Sequence, residues 1–218
     1  MLISIFYFYF LAVVNHLRLF IDIWIGFPGN TADGRIWRHS NLGSSIQQIF
    51  RRTPTVPVVV GYDHNRREIT KPLPMYILGD SAYPNEKHLV TTYEMNQILS
   101  DPTTKILNKK LGGVRYVVEC AFGVLKNRFR ILSTPLECAR HNPTYAIDLI
   151  TSLLILHNFL IYEKDNMEID IAQMDETQIE NNQLNDNAEG DRPEELDRSR
   201  TREILYDHIQ HQKRMNEI

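Results

Sequence analysis

Residues 1–26, MLISIFYFYFLAVVNHLRLFIDIWIG, are the part of the sequence that decides the fold. Two apolar runs rich in Phe, Tyr, Ile and Val, residues 2–14 and 17–26, flank the polar pair Asn15 and His16. Such runs predict β-strands, and a short polar break between them predicts a tight turn. We therefore expect the domain to begin with an antiparallel hairpin.

The same opening residues invite comparison with a signal peptide or a membrane anchor. Residues 1–14 lack a positively charged start and a small-residue cleavage site. A membrane span needs about 20 apolar residues, more than this run contains. A buried strand is therefore favoured, and a secreted or membrane-anchored protein is the weakest alternative.

Further along the chain, the pattern changes from strands to helices. VPVVVGY at 56–62 and residues 75–79 predict short strands, and a short helical stretch is expected at 42–51. Apolar residues at three- and four-residue steps predict helices over 113–130 and 145–162, the first with a core face that begins at Val114. This order predicts a mixed α/β fold, a sheet that starts with an antiparallel hairpin and is flanked by helices.

Charge divides the chain into a basic body and an acidic tail. Residues 1–162 hold 17 Lys/Arg and 11 Asp/Glu, net +6, whereas residues 163–218 hold 7 and 16, net −9. A basic body suits a polyanion such as nucleic acid. We expect 1–162 to form one domain and 163–218 a largely disordered tail, with a polar helix over 193–216 that orders on a partner.

Three stretches carry candidate chemistry, and each also has a purely structural interpretation. Asp80 in GDSAYP, residues 79–84, ends a strand, and an Asp-Ser turn explains it without a ligand. Residues 27–40, FPGNTADGRIWRHS, form a turn and a mixed basic, aromatic and hydroxyl segment, and the structural interpretation is a loop whose Trp37 packs on the core. The two cysteines have no ligand spacing, so neither a disulfide framework nor a zinc site is indicated.

The third stretch is one face of the helix over 113–130. At about 100° per residue, five residues opposite the core face fall within a sector about 80° wide. They are Arg115, Glu119, Gly123, Lys126 and Arg130. One carboxylate among three cations fits either a solvated helix face or a contact with a phosphate backbone, and the sequence leaves both open.

Taken in order, these stretches resemble the Harbinger (PIF/Harbinger) superfamily of transposases and the nucleases derived from them. The resemblance covers about residues 10–162. It is carried by AVVNHLRLFIDIWIGFPGNTADGRIWRHSNL, YILGDSAYP, RYVVECAFGVLKNRFRIL and LLILHNFLI. It implies a ribonuclease H-like fold and a DDE triad, in which three carboxylates hold two divalent cations, Mg²⁺ or Mn²⁺, about 3.5 to 4 Å apart.

The resemblance assigns the acidic residues by motif position. Asp80 matches the second carboxylate and Glu119 the third, so both are expected to be catalytic metal ligands. The first carboxylate falls on Asn15, whose amide oxygen carries no charge and makes it a weakened third ligand. Asp22 and Asp33 are nearby in sequence, but neither occupies the matching position.

The resemblance also implies partners. DNA is the expected substrate, and the expected location is the nucleus and also the cytoplasm. The candidate phosphate contacts are Arg115, Lys126, Arg128 and Arg130. Arg128 lies farthest from the polar sector of the helix. The helical region that precedes the domain in such transposases is missing, so we expect DNA targeting to come from elsewhere, such as a separate Myb-like DNA-binding protein. No membrane partner is expected. Two functions follow: a metal-dependent nuclease impaired by Asn15, or an inactive remnant that binds DNA or protein.

Overall fold

The computed structural model describes residues 2–5, 8–28, 31–94, 97–98, 101–134, 136, 141–165 and 200–216. Within them the fold is mixed α/β, and the residues group into two compact units. Unit 1 comprises Met1–Asn41 and Arg115–Asn185, and unit 2 comprises Leu42–Val114 and Asp186–Ile218. Residues 166–199, most of the tail predicted to be largely disordered, lie outside the described residues.

The described strands form three small sheets instead of the one expected sheet. The strands are β1 Leu2–Ile5, β2 Phe8–Val14, β3 Phe20–Pro28, β4 Val56–Tyr62, β5 Glu68–Leu73, β6 Ile77–Gly79 and β7 Leu89–Thr91. The helices are α1 Asp33–His39, α2 Asn41–Phe50, α3 Pro102–Arg128, α4 Pro143–Tyr162 and α5 Arg200–Asn216, with a 3-10 helix at Arg130–Ser133.

The sheet of unit 1 has the order β1-β2-β3, with both neighbouring pairs antiparallel. The single strand predicted over residues 2–14 is wrong, because Leu2 pairs with Leu11 and Ile5 with Phe8, so the chain folds back on itself within the run. An uninterrupted apolar run has no alternation to mark where it reverses. The pairing of β2 with β3 aligns Val13 with Asp22, and the register shifts at Val14, next to the turn.

The core of unit 1 lies between β2, β3 and the helices α3 and α4. Phe20, the first residue of β3, packs edge-on against Phe122 of α3 and His157 of α4, with ring centroids 5.1 and 5.2 Å apart. The other buried members of this cluster are Ala12, Ala121, Leu125, Leu132, Leu136, Ala146, Ile150 and Leu154. Burial of this apolar surface is the main force that holds α3 and α4 to the sheet.

Two helices of this part of the chain differ from the sequence-based expectation. Residues 33–39, expected to be a loop, form α1, and its Trp37 is buried as the structural interpretation required. Val114, expected in the helical core, is 57% exposed.

α4 is long and apolar enough to cross a membrane by length and composition alone, a weak criterion that core helices also meet. Its residues Ala146, Ile150 and Leu154 belong to the core of unit 1.

Unit 2 contains the antiparallel pair β4-β5 and the parallel pair β6-β7. Asp63 closes the charged turn between β4 and β5, since its Oδ1 accepts hydrogen bonds from the N–H groups of Asn65 and Arg67. β5 and β7 were not predicted. Exposed residues fill most of β5, and β7 has only three residues, too few to show a period.

The C-terminal helix α5 packs within unit 2 against residues that lie far away in the sequence. Ile209 is buried with Val90, Leu107 and Leu111, and Leu205 and Tyr206 pack around them. His208 Nδ1 lies 2.7 Å from the carbonyl oxygen of Val59 on β4. The helix expected to order on a partner therefore contacts its own chain, through an apolar stripe too narrow to stand out in a polar segment.

Candidate functional site

The turn between β2 and β3 is built around the side chain of Asn15. Its Oδ1 accepts hydrogen bonds from the N–H groups of Leu17 and Leu19, both at 3.0 Å. The backbone closes the same turn, because Asn15 N–H donates to the carbonyl of Leu19 and Arg18 N–H donates to that of Asn15. Asn15 thus explains the local structure of residues 15–19 as a turn residue whose side chain holds the backbone.

This geometry bears on whether Asn15 fits a metal ion. An amide oxygen has two lone pairs, and two N–H donors already use them. The other side-chain atom, Nδ2, is a hydrogen-bond donor that repels a cation. An aspartate at position 15 could keep both turn bonds through one oxygen and present the second oxygen to a metal. The amide of Asn15 has no such second oxygen and is a poor metal ligand, whereas the carboxylates of Asp80 and Glu119 are chemically suited to bind one.

The turn is also held from α4 by two residues that the sequence analysis did not single out. Asn158 Oδ1 accepts the N–H of Phe20 at 2.9 Å, and Asn158 Nδ2 donates to the carbonyl of Phe20 at 2.8 Å. His157 Nε2 lies 3.2 Å from the carbonyl oxygen of Arg18. Polar residues inside the otherwise apolar helix LLILHNFLI were the available signal, because a buried polar side chain needs a partner.

Glu119 lies on the part of α3 that belongs to unit 1, next to the buried Cys120 and Ala121. Its side chain is half-buried, and loss of water contact raises the pKa of the carboxyl while the guanidinium of Arg115 opposes the rise. The effect of burial exceeds that of the single nearby cation, so the charged form of the Glu119 carboxyl is disfavoured. A carboxylate in this condition gains from a nearby metal cation, which would stabilise its charged form.

Asp80 follows β6 directly, at the strand's carboxyl end as the sequence predicted. Its Oδ1 accepts the N–H of Ala82 at 3.0 Å, and Tyr83 N–H donates to its carbonyl, so the predicted Asp-Ser turn is present. Gly79 precedes it in a tight space, where an added Cβ would lie 3.1 Å from Leu89 Cδ1. Close packing of β6 on β7 fixes where Asp80 emerges.

The three candidate ligands belong to different units. Asn15 and Glu119 are residues of unit 1, and Asp80 is a residue of unit 2. Among the described residues, no group of three or more His, Cys, Asp or Glu side chains is placed to hold a metal ion. Of the three predicted ligands, unit 1 therefore contains one amide and one carboxylate.

The four candidate phosphate-binding cations are not equivalent. Arg115 and Lys126 are half-buried on α3, and Arg130 is exposed. α3 ends at Arg128, however, so Arg130 lies in the 3-10 helix and the angle predicted for it does not apply. Arg128 is buried and ion-paired with Asp165, which removes it from the predicted set of surface contacts.

Comparison with known proteins adds one finding to this geometry. The sequence matches the DDE superfamily endonuclease family over residues 7–158, well over half of the chain. The chain belongs to the DDE superfamily of endonucleases. No curated protein and no solved structure matches it.

Membership of the DDE superfamily agrees with much of the sequence analysis. DDE endonuclease domains are ribonuclease H-like and generally use divalent metals, and the matched stretch contains Asn15, Asp80 and Glu119. A nuclease-type domain also implies DNA as substrate.

Proposed function

We propose that this chain is a Harbinger-type, transposase-derived DDE nuclease domain that cleaves DNA phosphodiesters with divalent metal ions, and that Asn15 impairs its catalysis. Family membership supports the nuclease chemistry. The order of the four sequence motifs supports the Harbinger assignment. The observation that carries the impairment is the turn, in which Asn15 Oδ1 already accepts two backbone N–H groups.

In this proposal Asp80 and Glu119 supply the carboxylate ligands and position 15 is the defective third. Bound Mg²⁺ or Mn²⁺ would activate a water and stabilise the leaving oxygen of the phosphodiester. Oxygen donors are the ligands that these cations prefer, which suits both acids. Replacing one of three anionic ligands by a neutral group weakens the binding of two dications, because each anion offsets part of their mutual repulsion.

The DNA would lie along the basic part of the chain. Arg115 and Lys126 on α3 and the exposed Arg130 are the proposed phosphate contacts. Residues 1–162 carry 17 Lys/Arg against 11 Asp/Glu, so long-range attraction favours a polyanion. Sequence-specific targeting would come from a separate Myb-like protein, and action on DNA implies the nucleus, with the cytoplasm as a second location.

The test is a calorimetric titration of the purified chain with Mn²⁺, followed by nuclease assays. Four proteins are compared: the natural chain, Asn15→Asp, Asn15→Asp with Glu119→Gln, and Asn15→Asp with Glu163→Gln. Glu163 follows α4 in the same unit and is exposed, so it is a matched control for the loss of one carboxylate. We expect Asn15→Asp to bind Mn²⁺ at least about tenfold more tightly than the natural chain.

We further expect Glu119→Gln to remove that gain and Glu163→Gln to leave it intact. Equal Mn²⁺ affinity in all four proteins would show that position 15 and Glu119 do not form a metal site, and the proposal would then be wrong. The occupied oxygen of Asn15 also favours a second function, a domain that binds DNA without cutting it. This function is indicated if Asn15→Asp binds Mn²⁺ and cuts DNA while the natural chain only binds DNA.

A further inference from the structure

The HN pair of α4, His157 and Asn158, connects that helix to the turn that carries position 15. We propose that His157 and Asn158 are positioning residues that hold residues 15–19 in the conformation required of the side chain at position 15. This inference rests on the proposed metal site at that turn. The local sequence of the turn cannot predict these contacts, because Asn158 is 138 residues from Phe20 and His157 is 139 residues from Arg18.

Asn158 fixes the exit of the turn. It binds both polar backbone atoms of Phe20, accepting its N–H and donating to its carbonyl. Only an amide side chain of this length offers an acceptor and a donor side by side in this way. Phe20 is itself buried against Phe122 and His157, so the backbone and the ring of the same residue are both fixed by helices.

His157 fixes the middle of the turn. The guanidinium of Arg128 can only donate, and its Nη1 lies 3.5 Å from His157 Nδ1, so Nδ1 is the acceptor. The proton of the neutral ring therefore lies on Nε2, which donates to the carbonyl of Arg18. The ring is fully buried, so this bond is shielded from competition with water.

Arg18 is the residue of the turn that most needs support. Its φ of 64° is a left-handed conformation that residues with a Cβ disfavour. The same conformation orients the carbonyl of Arg18 toward His157 and lets Leu19 N–H reach Asn15 Oδ1. Loss of the bonds from α4 would let Arg18 return to a common conformation, and the side chain at position 15 would lose its fixed direction.

Amide hydrogen exchange by NMR on the full chain tests this role. The informative amides are those of Leu17 and Leu19, because they donate to Asn15 Oδ1 and not to His157 or Asn158. A change in their exchange therefore reports on the turn itself. We expect Asn158→Ala to speed their exchange about three- to tenfold relative to Ala121 and Leu125, buried residues inside α3 that report general destabilisation. Ser152→Ala, an exposed polar change on the same helix as Asn158, should leave all four unchanged.

Two further variants separate positioning from general packing. His157→Gln retains a side-chain N–H that reaches the Arg18 carbonyl, so exchange at Leu17 and Leu19 should remain within about twofold of the natural chain. Asn158→Asp retains the acceptor for Phe20 N–H but places a carboxylate oxygen against the Phe20 carbonyl, so it should also speed exchange, and it provides the answer if the alanine variant does not fold. Unchanged Leu17 and Leu19 exchange in both Asn158 variants overturns the proposal.

Mn²⁺ binding supplies the functional arm. In the Asn15→Asp background we expect Asn158→Ala to lower Mn²⁺ affinity about tenfold, Ser152→Ala to leave it unchanged, and His157→Gln to retain most of it. If Asn15→Asp binds no Mn²⁺, the proposed metal site is wrong, while the exchange data still decide whether α4 positions the turn. If Asn15→Asp binds Mn²⁺ and Asn158→Ala binds it equally well, the positioning role is wrong.

Discussion

Arg128 Nη2 lies 3.2 Å from Asp165 Oδ2, and the arginine side chain is 7% exposed whereas that of Asp165 is 47% exposed. This ion pair joins the end of α3 to the residues after α4. The same guanidinium lies against His157, and its Nε has no hydrogen-bond partner among the described residues. Because the guanidinium of Arg128 is buried and its counter-ion Asp165 is half-exposed, the stability of this region should depend on the charge of Asp165.

Asp165→Asn should destabilise unit 1 because it removes the counter-charge and leaves Arg128 buried. We expect a loss of about 1 kcal/mol in the free energy of unfolding, between the values typical of exposed and buried pairs. Urea denaturation measures the change. Asp207→Asn is the matched control, since Asp207 pairs with Lys71 at 2.7 Å but both side chains are well exposed. An equal effect from the two variants would contradict the role assigned to burial.

Asn15→Ala should destabilise the turn, whereas Asn15→Asp should not. Alanine leaves the N–H groups of Leu17 and Leu19 without their acceptor, which costs about 1 to 2 kcal/mol, while aspartate keeps an oxygen in the same place. Equilibrium denaturation in metal-free buffer measures both, with Asn65→Ala in the exposed β4-β5 turn for comparison. If Asn15→Ala is as stable as the natural chain, the side chain does not hold the turn.

Glu119→Gln should raise the melting temperature at neutral pH in the absence of metal. Burial raises the pKa of the Glu119 carboxyl above its ordinary value of 4.5, so its charged form weakens the folded state. The stability that this group provides is complete below pH 4.5 and is lost as the pH rises through the raised pKa.

The gain from Glu119→Gln should therefore amount to about one to a few degrees at pH 7 and vanish in acid. Differential scanning calorimetry across this pH range measures it. Glu163→Gln, at an exposed position, should show no such dependence. A lower melting temperature for Glu119→Gln at pH 7 would mean that the carboxylate makes a favourable contact in the folded chain.

His157 should make the chain less stable in mild acid. Burial, with the nearby guanidinium of Arg128, lowers the pKa of His157, while its bond to the Arg18 carbonyl opposes the shift. Below pH 6.5 the unfolded chain then binds protons more readily than the folded chain. Stability should fall by at most about 1.4 kcal/mol per pH unit from pH 6.5 down to the lowered pKa.

Chemical denaturation at several pH values measures this profile. His157→Gln cannot titrate and should flatten it, whereas His64→Gln, a change of the same kind in the exposed β4-β5 turn, should not. Identical profiles for His157→Gln and the natural chain would show that another group causes the acid sensitivity.

Gly79→Ala should destabilise unit 2 by about 1 to 3 kcal/mol, the usual effect of overfilling a packed site. The added Cβ would lie 3.1 Å from Leu89 Cδ1 and 3.3 Å from Tyr83 Cδ2. Gly113→Ala is the control, because nothing lies within 4 Å of its added Cβ and alanine favours a helix by about 1 kcal/mol. The two variants should therefore shift the denaturation midpoint in opposite directions, and a shift in the same direction would contradict the packing argument.

Local patterns predicted much of the fold. The β2-β3 strands, the β4 strand and its charged turn, the strand that leads into Asp80, the second half of α3 and nearly all of α4 follow from apolar runs and helical spacing. The first half of α3 was missed because residues 102–112 contain only two buried apolar residues, Leu107 and Leu111, among lysines and the buried polar residues Thr103, Thr104 and Asn108. Buried polar residues with partners far away hide a helix from periodicity.

The sequence alone determined the motifs around Asn15, Asp80 and Glu119 and their order along the chain, which indicates the family. Only the tertiary structure decided what those side chains can do. It showed that the side-chain oxygen of Asn15 already accepts two hydrogen bonds and that the Arg128 side chain is buried and ion-paired with Asp165. It also showed that His157 and Asn158 form hydrogen bonds with the backbone of Arg18 and Phe20. The reason is that burial and long-range hydrogen bonds depend on which distant segments pack together, and neither helical nor strand spacing encodes that pairing.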